Sequence, residues 1–148
     1  MLKEKIKTDM KEAMKRGDAA VVSVLRMLLA ALQNKEIEKR TDSLAEEEVL
    51  QVLTTETRKR KESVLGFEKG NRPELAEKEK KELAVIKAYL PEDASEEEVR
   101  KAVKEAIAKT GAQGPKDMGK VMGMAMGVLK GRTDGDAVQR MVKEILSV

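Results

Sequence analysis

The chain has 148 residues, 39% of them charged and 41% hydrophobic, with a net charge of +3. It contains no Cys, His or Trp, and its only aromatic residues are Phe67 and Tyr89. These absences exclude thiol and imidazole catalysis, disulfides and Cys/His metal sites, and they leave little for stacking nucleic-acid bases.

Apolar residues recur with a period of 3.6 throughout, and no segment alternates with period 2, so the chain is predicted to be all-α. The first helix carries Leu2, Ile6, Met10, Ala13 and Met14 on one stripe and stops at Gly17. Asp18 is placed to cap a second helix with the stripe Val21, Val24, Leu25, Leu28, Ala31 and Leu32, widened by Met27 and Leu29. Ser43 with Glu46, and Ser95 with Glu98, have the spacing of capping boxes. The long helix after Ser43 is apolar at Val49, Val52 and Leu53 and again at Val64, Leu65 and Phe67, but 54–62 holds no large apolar residue. Gly70 ends it. Pro73 opens the next helix, which shows Leu75, Leu83, Ile86 and Leu90 before Pro91 closes it.

Pro91 and the acidic cluster behind it mark a boundary. The reading is an N-terminal four-helix domain with a long helical hairpin, residues 1–91, and a small C-terminal three-helix domain, residues 92–148. Helices are expected there over 96–109, 117–130 and 136–147. The start has no apolar signal-type segment, and the most apolar stretch, 19–32, is too short to span a bilayer, so a soluble, cytoplasmic protein is expected.

The segment 118–131 places Gly119, Gly123, Gly127 and Gly131 at every fourth position. On a helix this makes a ridge without side chains, and each interior glycine costs about 0.8–1.0 kcal/mol relative to alanine. Two readings account for the cost. Another helix of the fold packs closely on the ridge, or an RNA backbone or partner chain approaches it between Lys116, Lys120, Lys130 and Arg132. Asp117 would cap this helix and compete with phosphate for its first amides. The methionines 118, 122, 124 and 126 read as core filler or as an adaptable contact surface. Arg58, Lys59, Arg60 and Lys61 form a second basic group, but successive residues point around the helix, and Glu56 and Glu62 stand at pairing distance from Arg60 and Arg58. No phosphate-binding loop, dinucleotide motif or catalytic constellation occurs.

Leu25-Arg26-Met27 through Leu32-Gln33-Asn34, Lys59-Arg60-Lys61-Glu62-Ser63, Tyr89-Leu90-Pro91, Asp117 to Gly123 and Lys130 to Gly135 together resemble the YqeY family, in order and over essentially the whole chain. That resemblance implies an all-helical fold whose C-terminal part is shared with the tail of GatB, a subunit of glutamine-dependent tRNA amidotransferase. It implies tRNA as the partner, with Gly119, Lys120, Gly123, Lys130 and Gly131 as the candidate RNA-facing residues; local charge adds Lys116 and Arg132, and Arg58, Lys59, Arg60 and Lys61 are secondary basic candidates. Where amidotransferase tails often read Asn-Pro, this chain has Asp134-Gly135. The resemblance implies no catalytic residue, metal or cofactor, and any amidotransferase activity would need partner subunits. A helical protein-protein adaptor is the alternative, and a carbon-nitrogen ligase with glutamine as amide donor is the enzymatic one.

Overall fold

The computed structural model describes residues 1–129 and 132–147. Among them are seven α-helices, one 3₁₀ turn and no strand. The chain divides into two compact units, Met1–Leu90 and Pro91–Val148.

In the first unit, α1 (Leu2–Arg16) and α2 (Ala19–Lys39) form a tight antiparallel pair. Gly17 makes the reversal in the left-handed region at φ 72°, and the Asp18 carboxylate accepts the Val21 N–H to cap α2. α3 (Glu46–Lys69) and α4 (Pro73–Lys87) form a second hairpin, and α3 is about 36 Å long. Ile6, Val24, Leu25, Leu28, Leu32, Val49, Leu53 and Ile86 build the shared core. The expected capping box at Ser43 does not form: α3 starts after Ala45, which has no side chain able to cap it. Leu44 packs on the core and sets where the chain enters α3, leaving Ser43 in a turn whose carbonyl accepts the Thr41 hydroxyl.

The polar middle of α3 is not a solvated face throughout. Arg60 is 5% exposed, and its guanidinium lies 3.0 Å from Glu56 and 3.5 Å from Glu82 of α4. It also donates to the Glu56 carbonyl and contacts the Met27 sulfur of α2. One cation therefore joins three helices at the level where the aliphatic core is interrupted. At the unit's C-terminal end the Tyr89 hydroxyl donates to Asp9, with Lys5 over the ring. Burial first, and then the Asp9 carboxylate, push the Tyr89 phenol above its ordinary value.

In the second unit, α5 (Glu96–Thr110), α6 (Met118–Leu129) and α7 (Gly135–Leu146) pack around Val99, Val103, Val121, Leu129, Val138, Met141 and Val142. Ala102, Ala106 and Ala125 complete the contact between α5 and α6 with small side chains. Ser95 caps α5 through the Glu98 N–H, and Asp134 caps α7 through the Ala137 N–H. Gly111 ends α5 at φ 67°.

Candidate nucleic-acid interface

The packing of α6 follows from its sequence. Val121, Ala125 and Leu129 are buried, and Met118, Met122 and Met126 pack partly against the same core, so these methionines are filler. What remains for the surface is a face with two columns. Gly119, Gly123 and Gly127 form one, and Lys120, Met124 and Val128, each four residues apart, form the other.

The glycines are exposed, and an alanine methyl at any of the three would meet nothing within 4 Å. The packing explanation for the ridge is therefore wrong within this unit, because no helix approaches it. The cost of glycine in α6 remains uncompensated by anything inside the second unit. Met124 is 37% and Val128 59% exposed, so the neighbouring column is apolar above Lys120. Val128 was not singled out from the sequence; its place four residues beyond Met124 was the available signal.

Lys116 and Lys120 are exposed, and no carboxylate among the described residues pairs with either. Lys116 lies in the 3₁₀ turn Pro115–Asp117, which leads directly into α6. Asp117 does not cap α6, contrary to expectation. Its carboxylate turns back across the 3₁₀ turn to accept the Gln113 N–H at 3.2 Å.

Arg132 is differently employed. Its Nε donates to the Glu92 carbonyl, another guanidinium nitrogen lies 2.6 Å from Glu98, and its carbonyl accepts the Ala94 N–H. It clasps the segment before α5 to the segment before α7, which makes it a structural residue with a half-exposed side chain. Lys130 and Gly131 lie outside the described residues.

The secondary basic group separates. Arg58 is exposed, Lys59 is exposed and 3.5 Å from Glu56, and Lys61 is half-buried. Arg60 is corrected: it is a buried partner of two carboxylates and has no face open to phosphate. The predicted Glu56–Arg60 pair forms. The structure thus assembles no four-residue basic patch on α3, since a helix turns by about 100° per residue.

Among the described residues no group of His, Cys, Asp or Glu could hold a metal ion, and no helix is long and apolar enough to cross a membrane.

The sequence model of a family described as Yqey-like protein matches residues 3–146. A protein of Candida glabrata named Altered inheritance of mitochondria protein 41, mitochondrial, is 36% identical over 88 residues, which is 59% of this chain and 48% of that protein. Its namesake in Lachancea thermotolerans is 32% identical over 112 residues, covering 74% of this chain and 60% of that protein. An uncharacterized protein of Schizosaccharomyces pombe is 34% identical over 92 residues, 61% of this chain and 72% of that protein. The chain spans about half the length of the first curated relatives it matches.

Proposed function

The chain belongs to the YqeY-like family, and from that premise we propose that it is a tRNA-binding accessory module, related to tRNA-dependent amidotransferases and without a catalytic site of its own. The observation that carries this reading is the exposed ridge of Gly119, Gly123 and Gly127 beside two lysines, Lys116 and Lys120, that no carboxylate neutralises. A bare ridge lets a sugar-phosphate strand come within contact of helix backbone, and the two lysines stand at its N-terminal end. The family resemblance adds Lys130 and Gly131 as candidate RNA-facing residues. With Phe67 and Tyr89 both in the first unit, recognition on α6 reads backbone shape and charge, with no stacked bases.

The test is tRNA binding by the purified chain across a range of salt concentrations. The logarithm of affinity should fall linearly with the logarithm of salt. Lys116→Ala with Lys120→Ala should flatten the slope by about 1 for each phosphate left without its cation. An unchanged affinity and slope in the double variant would remove these residues from the interface.

One observation favours a second reading, the helical adaptor. Met124 and Val128 add exposed apolar surface along the ridge, which suits a partner helix. Partners retained from nuclease-treated extract, and released with Val128→Asp, would favour it over RNA. A cytoplasmic site of action belongs to the main reading, whereas the Candida glabrata and Lachancea thermotolerans relatives are named as mitochondrial proteins.

A further inference from the structure

Between Ala19 and Leu32, α2 is apolar around its circumference except at Ser23 and Arg26. A helix of this kind is ordinarily covered on all sides. Here one side enters the core through Val24, Leu25, Leu28 and Leu32, while Ala19, Ser23, Met27 and Ala30 stay exposed. With Met14 and Gly17 at the end of α1, these residues line an open groove of about 790 Å³. Met14 is 51% and Met27 38% exposed, so two flexible thioethers stand beside side chains no larger than serine. Small residues permit close approach of a helix, and methionines adapt to its apolar ridge.

The charge around the groove identifies the chemistry of what fits it. Arg26 lines the groove and pairs with no carboxylate among the described residues. Lys7 and Lys11 are exposed and share the stripe of Met14 on α1. Asp18, the acid next to Gly17, is held by the Val21 N–H. A cation lining an apolar concavity, with two more along the Met14 stripe of α1, favours a ligand with both methyl groups and carboxylates. RNA lacks the methyl groups, and a membrane surface is met by protruding apolar faces.

We propose that this groove docks an acidic amphipathic helix of a partner protein. Its apolar ridge lies over Ser23 and Ala30 between Met14 and Met27, and its carboxylates meet Arg26, Lys11 and Lys7. The stretch from Ala19 to Ala30 matches about three helical turns. This surface lies in the first unit and does not depend on the RNA reading of α6.

The test replaces Met14 with a diazirine analogue of methionine in the full chain, expressed in the source cells, with the same group at exposed Leu75 as control. The expected result is a protein adduct specific to position 14 whose crosslinked segment is amphipathic and acidic. A synthetic peptide of that segment should bind the purified chain at least tenfold more weakly after Arg26→Glu, and exchanging the peptide's carboxylates for lysines should restore binding to that variant. Arg26 is exposed, so circular dichroism should show unchanged helix content, and Arg26→Gln should fall between the two. No adduct above the control, an adduct to RNA, lipid or a second copy, or a peptide affinity indifferent to Arg26→Glu would overturn the proposal.

Discussion

Replacing Gly123 and Gly127 by alanine is the perturbation that tests the reasoning most directly. Both positions lie inside α6 with ordinary helical backbone, and neither new methyl group would touch another atom within 4 Å. Only intrinsic helix preference then changes, at about 0.8–1.0 kcal/mol for each site. The pair should stabilise the second unit by about 2 kcal/mol. In a domain of this size that corresponds to a rise in melting temperature of roughly 8–16 °C. Hydrogen exchange of the α6 amides in the full chain should slow by a factor on the order of 30 where exchange proceeds by opening of the unit. The same double variant should bind tRNA more weakly, because two methyl groups stand where the strand would approach. Higher stability with weaker binding separates a contact surface from a packing surface. A destabilised variant would mean that the ridge is packed, and the account of α6 would be wrong. A stabilised variant that binds tRNA as well as the parent would keep the physical account and remove the ridge from the proposed function.

Arg60→Ala should cost about 3–5 kcal/mol in chemical denaturation, because it leaves the Glu56 and Glu82 carboxylates without the cation between them; a cost below about 1 kcal/mol would refute the central place given to Arg60. Tyr89 is the only Tyr, and there is no Trp, so phenolate absorbance reports one group. Its ionisation in the folded chain should lie above 10.0 and return toward that value with Asp9→Asn or on unfolding. Because the folded state holds the proton more tightly, this contribution to stability is complete below pH 10 and is lost as pH rises beyond it. Titration at the ordinary value in the folded chain would contradict the Asp9 hydrogen bond.

Much of the fold was legible in the sequence. The 3.6-residue period placed the helices, Gly17 and Pro73 marked turns, and Asp18 and Ser95 supplied caps, all through interactions spanning a few residues. Two of the failures come from residues distant in the sequence, and the third from a local turn. Ser43 does not cap α3 because Leu44 has a place in a core assembled from distant helices. Arg60 looked like one of four surface cations because its partner Glu82 is 22 positions away on α4. Asp117 was read as a cap until the 3₁₀ turn directed it to Gln113.

The family's motifs, the missing Cys and His, and the glycines at every fourth position are properties of the sequence by itself. Whether those glycines faced a neighbour or open space was decided only by the tertiary structure. Burial of Val121, Ala125 and Leu129 against α5 and α7 fixes the rotation of α6, and that rotation turns the glycine column outward. A helical period specifies which residues share a face; only packing against other helices specifies which face is covered.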